Sequence, residues 1–354
     1  MGEASARNGC ARRPVSIVAL STSCVHLDNR AFHSAAKPAP LPPLAGVLLL
    51  LLVATVFASN HVAARLAFDD GTSVAAAVAI RSVTTVVVVL CLLRATGTSL
   101  RLPRKTLGRG VLIGLLLSVQ SYCLYAAVAR LPVALALLTF NTFPILLAAI
   151  SWLLGGPAPG RRTLIAMPVI LVGLTLALNV MGIGAPAAAT RGAAGLGARW
   201  SEISAGVGFA LTASCSFALA LYLTTRWLGG VDGRLRALLT MATVGVVVLL
   251  AGLLAGLAGL AGDGAGAAFT LPNGPRGWLG LILLSLLYTT AFTTLFAILP
   301  RLGAVNNAPV LNFEPIAALV LASQILGQEV LPIQIAGALL VIGAIVFLTT
   351  GARR

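Results

Sequence analysis

Charge is what this sequence has least of. Of 354 residues only 9% are charged, whereas soluble domains carry roughly a quarter. So few charges cannot cover a water-facing surface. With 58% of the chain hydrophobic and a mean hydropathy of +1.00, the solvent for most of the chain has to be a lipid bilayer. Lysine is confined to Lys37 and Lys105. The three histidines form no HExxH motif, and Cys10, Cys24, Cys91, Cys123 and Cys215 form no CxxC pair, so nothing points to a metal centre. The chain has no GxxxxGK[ST] loop to cradle ATP phosphates. It has no His-x4-Asp or GxSxG motif either, which disfavours a polytopic enzyme acting on lipid-linked substrates, the alternative to a carrier. No cofactor is expected.

What is there is a series of long apolar runs. A spanning helix needs about 20 mostly apolar residues, and ten such runs occur, near 44–64, 74–93, 108–129, 132–154, 163–181, 203–225, 236–260, 277–299, 303–326 and 332–350. Barrel strands would show short alternating segments instead. The expectation is an all-α membrane protein of ten transmembrane helices.

The formal charge of +15 would suggest nucleic acid in a soluble protein. Here it follows topology. Eighteen of the 24 basic residues fall in the N-terminal arm, in alternate loops at 94–109, 161–162, 226–236 and 301, and at the C-terminus, against five in the other loops. Cytoplasmic loops retain Lys and Arg, so both termini are expected in the cytoplasm and nucleic acid drops out. Residues 1–43 are read as a cytoplasmic, basic arm without fixed structure, since the apolar run Val15–Leu20 after Arg12-Arg13 is too short for a secretory signal.

The chain repeats itself. Shifted by 171 residues, Arg130-Leu131 falls on Arg301-Leu302, Asn141 on Asn312 and Pro144 on Pro315. Shifted by 160, Gly46-Val47 falls on Gly206-Val207 and Phe57-Ala58 on Phe217-Ala218. Residues 44–181 and 203–350 are therefore two repeats of five spans, joined by a Gly/Ala-rich linker at 182–202 and followed by a short tail at 351–354. Five is odd, so the second copy enters the bilayer from the opposite side. Inverted repeats are the architecture of alternating-access carriers, whose substrate sits near the midplane between the copies.

In this 5+5 design the chain resembles the drug/metabolite transporter superfamily, specifically its EamA-type members. The resemblance is carried most strongly by Asn312-Phe313-Glu314-Pro315, Leu326-Gly327-Gln328-Glu329 and Gln334-Ile335-Ala336-Gly337. Arg81 in the second span also matches an arginine common in that group. The first repeat departs from the pattern, reading Leu154-Gly155-Gly156-Pro157-Ala158 where Leu-Gly-x-Glu should recur. The resemblance implies a carrier and leaves the substrate open.

Candidate path residues follow from polarity within the spans. Glu314 lies about twelve residues into the ninth run, where an ionised carboxylate costs several kcal/mol or more. A carboxyl that binds and releases a proton as access alternates would couple transport to protons. Pro315 removes one helical hydrogen bond beside it, and Asn307 lies seven residues earlier on the same face. In the third span Ser118, Ser121, Tyr122 and Tyr125 form one polar stripe. Their repeat mates are Thr289, Phe292, Thr293 and Phe296, with Ser285 and Tyr288 extending that side. Arg81 lies roughly 10 Å deep, either snorkelling to the headgroups or contacting an anion: a substrate carboxylate or Glu314. His61, beside Asn60, reads as an interfacial residue and Glu329 as a solvated helix-end charge.

The sequence thus describes a secondary carrier of the inner membrane for a small metabolite or drug-like solute. Its expected partners are the lipid bilayer, that solute and protons. A homodimer is open, because Gly110/Gly114 and Gly252/Gly256 permit close helix packing, within one chain or between two.

Overall fold

A computed structural model describes residues 43–98, 100–155, 161–177, 193–257, 269–302, 313–328 and 330–350. The basic arm, the first part of the linker, Asn307, Asn312 and Glu329 lie outside them. Every regular element among the described residues is a helix. They are α1 (Pro43–Asp69), α2 (Val74–Ala95), α3 (Arg104–Arg130), α4 (Val133–Phe140), α5 (Phe143–Leu153), α6 (Arg161–Ala177), α7 (Ala193–Trp227), α8 (Gly233–Leu257), α9 (Pro275–Leu302), α10 (Glu314–Leu326) and α11 (Pro332–Thr350). Seven described segments are long and apolar enough to cross a membrane, one of them running through α4 and α5. Segments in α6, α10 and α11 are shorter apolar helices.

Two expectations change. The fourth run is not one helix: it breaks at Asn141-Thr142. Pro144 has no N–H to give the carbonyl four residues back, and the break is closed by side chains, Asn141 Nδ2 donating to Leu137 O and Thr142 Oγ1 to Thr139 O. In the ninth run, α10 starts at Glu314, directly before the repeat-related Pro315. Glu314 therefore sits at a helix N-terminus inside the span, where the helix dipole favours a carboxylate, and not in mid-helix. In addition α7 begins at Ala193, so the later part of the expected linker is helical.

The helix pairs with the most extensive packing each take one member from each half of the chain: α3 with α7, α1 with α9, α2 with α8, and α6 with α11. Exchanging the halves swaps the first two pairs and maps the other two onto themselves, as a two-repeat architecture requires. Lipid gives apolar side chains no reason to hide, so close approach comes from small residues. One buried cluster joins Ala58, Ala127, Ala136, Ala210, Ala213, Ala317 and Ala318 across α1, α3, α4, α7 and α10. A Cβ on Gly280 would press on the α1 backbone, 2.7 Å from both Ala63 O and Ala67 N. Large side chains such as Leu52, Val87, Leu115, Leu254 and Leu286 face outward. Gly110 and Gly114 are used inside the chain, against Leu239 and Thr243 of α8, while Gly256 faces open space.

The loops after α1 and before α9 are tied together. Asp70 Oδ2 accepts from Gly274 N (2.6 Å) and Gly277 N (3.1 Å), capping α9 from another part of the chain. Ser73 N donates to Thr270 O, and Thr270 N donates to Ser73 Oγ. Nearby, Arg65 donates to the end carbonyls Val128 O and Ala129 O of α3 and pairs with Asp69 at 2.8 Å. At the opposite end Asp232 caps α8. Burial works against its ionisation, but the hydrogen bonds from Arg234 outweigh that and hold the carboxyl below its usual range.

Replacing Asp70 by Ala is expected to cost about 1–2 kcal/mol, the upper range for a helix cap, read as a lower thermal midpoint of the purified protein. Asp69→Ala breaks a half-exposed ion pair and should cost less than about 1 kcal/mol. Equal shifts in the two variants would show that the tie adds nothing.

Candidate functional site

Several polar residues of the spans converge on one cluster where α1, α2, α3, α9 and α10 meet. Arg81 of α2 is its centre, 2% exposed. Its guanidinium does not snorkel to the headgroups. It lies over the rings of Tyr288 (3.8 Å to the centroid) and Tyr125 (4.6 Å), an arrangement that stabilises a cation electrostatically in low dielectric. Its Nη1 donates to Tyr125 Oη at 3.0 Å and its Nη2 to Ser121 Oγ at 3.2 Å. Tyr125 passes the chain on, donating to Asn60 Oδ1 at 3.0 Å. One turn along α2, Thr85 Oγ1 meets Thr289 Oγ1 at 3.0 Å, joining α2 to α9.

Glu314 does not pair with Arg81. Its Oε1 lies 3.3 Å from His61 Nε2, which links α10 to α1, with side-chain exposures of 24% and 6%. The His61 ring packs 5.4 Å from that of Tyr125, so the acid–base pair adjoins the arginine network. A row of rings continues from there: Phe57 meets Tyr288 edge-on at 5.9 Å, and Tyr288 stacks on Phe292 at 5.5 Å. Phe57, Tyr288, Phe292 and Glu314 keep part of their surface accessible.

Of the sequence-derived candidates, Arg81, Ser121, Tyr125, Tyr288, Thr289 and Glu314 come together, with Pro315 starting α10 beside Glu314. Ser118 and Thr293 instead return their hydroxyls to their own helices, to Gly114 O and Thr289 O, and Tyr122 packs against the α1–α9 core. Asn141 belongs to the α4–α5 break, next to the Thr142–Ser214 contact at 3.1 Å.

The two repeats diverge here. Phe143, repeat mate of Glu314, meets Phe217, repeat mate of Phe57, at 5.0 Å. Glu314 reaches across to His61 of the other half, whereas the repeat mates of these two residues are the apolar Phe143 and Leu221.

Asn60, His61 and Thr85 were missed. His61 looked terminal because the apolar run fades near residue 64, yet α1 continues to Asp69. The Arg65–Asp69 spacing, one helical turn, was the available sign that the helix goes on. Thr85 could have been found one turn from Arg81.

The description of the EamA-like transporter family matches residues 44–179 and 204–350, and the chain belongs to that family. It is a multi-pass membrane protein of a transporter family. Thirteen chains of solved structures match. One, described only as "Crystal structure of protein", has a TM-score of 0.59 and 17% identity, covering 88% of this chain and 99% of the other; that likeness speaks to the fold alone. Among curated proteins no match is found.

The contact between His61 and Glu314 is open to a double-mutant cycle. His61→Gln and Glu314→Gln should each lower the thermal midpoint, and the double variant should lose less than the sum, with a coupling of about 0.5–3 kcal/mol. Simple additivity would show that the side chains do not interact.

Proposed function

We propose that this chain is a secondary carrier that moves a small metabolite or drug-like solute across the inner membrane by alternating access. Both termini lie in the cytoplasm, and the cluster around Arg81 and Glu314 lines the path. The chain works without a cofactor and catalyses no covalent step. Its partners are the bilayer, the solute and protons.

The observation that carries this reading is the Glu314–His61 pair at 3.3 Å, set in a bilayer-depth cluster built from both halves. A carboxylate and an imidazole in contact have three charge states that differ by one proton each. Adding a proton to the neutral imidazole creates an ion pair and strengthens the attraction. Adding a second neutralises the carboxylate and removes it. The two side chains sit on α1 and α10, one from each half. Proton uptake or release therefore changes the force holding the halves together at the depth where a solute would sit. A change in access needs a bistable contact of this kind. The repeat mates of Glu314 and His61, Phe143 and Leu221, cannot titrate, so protons act on one side of the architecture.

In proteoliposomes, solute flux driven by a pH gradient should vanish in Glu314→Gln, while the variant inserts and purifies like the parent and solute exchange without a gradient persists. Undiminished gradient-driven flux in that variant would sink the coupling. Absence of any flux in the parent, across a panel of amino acids and cationic dyes, would sink the carrier reading.

A further inference from the structure

We propose that the Arg81 niche is a carboxylate-binding site, and that the solute is a monocarboxylate with an apolar body. This rests on the carrier reading and names the class of its cargo.

Arg81 lacks a charged acceptor among the described residues. The two tyrosine rings satisfy the faces of the guanidinium, and Tyr125 Oη and Ser121 Oγ accept from its terminal nitrogens. Both acceptors are neutral. Arg81 Nε has no partner among the described residues, and neither does Asn60 Nδ2, although both atoms are buried. The acid that could have neutralised the charge is held by His61 instead. Buried polar groups are ordinarily satisfied, and a buried charge without a paired counter-ion is destabilising. The niche thus holds two unsatisfied buried donors, on Arg81 and Asn60, and a guanidinium that no carboxylate of the described residues pairs with.

A carboxylate answers both the charge and the unsatisfied donors. It is planar, carries a single negative charge, and offers about four lone-pair positions. Its two oxygens match the fork of a guanidinium. A phosphate monoester or a dicarboxylate would bring a second charge, and the other group of the cluster that can turn cationic, His61, is already engaged by Glu314. The rest of the molecule meets Phe57, Tyr288 and Phe292, whose partly accessible rings run away from the guanidinium. Those rings suit a flat or short hydrocarbon body.

The test uses the full chain, purified in detergent, with matched acids and amides: benzoate against benzamide, hexanoate against hexanamide, and isovalerate against isovaleramide. At least one acid should raise the thermal midpoint saturably while its amide does not. Arg81→Gln should weaken that response at least about tenfold, the effect of losing a hydrogen bond to a charged group. Asn60→Asp supplies an internal counter-ion beside Tyr125. It should raise the midpoint without ligand and abolish the response to acid, which keeps the test decisive if Arg81→Gln does not fold. No acid-selective shift in the parent, or an undiminished shift in Asn60→Asp, overturns the site. Acid-selective stabilisation without counterflow of labelled acid in proteoliposomes would overturn the carrier reading and leave the site standing.

Discussion

Lipid offers no hydrogen bonds, so every polar group this chain carries into the bilayer has to be answered by another part of the chain. That constraint sets most of what is seen. Thr, Ser and Asn side chains in the spans turn back onto carbonyls one turn away, as Ser82, Thr139 and Asn141 do. Arg65 collects the carbonyls at the end of α3. At the break before Pro144, the side chains of Asn141 and Thr142 bond carbonyls of the preceding turn. Among the described residues, three of the four buried polar side-chain atoms left without a partner, on Asn60, His61 and Arg81, belong to the cluster around Arg81, and the fourth is Thr72 Oγ1 in the loop after α1.

The second constraint is geometric. The packing energy lies between the halves of the chain more than within them, since α1 packs on α9 and α3 on α7. Alanine and glycine bring the helices close along these seams, and large side chains such as Leu131, Leu137, Leu281 and Leu284 fill the space between them. Other large aliphatic side chains, Leu52 and Leu254 among them, face outward.

Hydropathy and the self-comparison made most of the fold legible, because both depend on long stretches of chain. The break at Asn141 escaped, since a run of hydropathy records composition and not continuity; Pro144 was the sign of it. The same oversight placed Glu314 in mid-helix when it begins one. The stripe of α3 and Arg81 were readable because their spacing is local. His61 was not, because its meaning depends on α10, about 250 positions away, and nothing periodic connects them. The tie between Asp70 and α9 was invisible for the same reason.

That tie has a consequence for synthesis. Asp70 and its partner Gly274 are 204 residues apart, and at about 5–20 residues per second the ribosome needs roughly 10–40 s to deliver the second after the first. For that interval the α1–α2 hairpin waits with its loop carboxylate unsatisfied, and it can do so cheaply only because that loop lies at the water-facing end of the hairpin. Arg81, deeper in, waits less: Tyr125 arrives 44 residues later. Tyr288, on the helix that Asp70 caps, arrives together with Gly274. The nascent first half is thus a provisional structure, completed at its loop and at its buried cation by the same late segment.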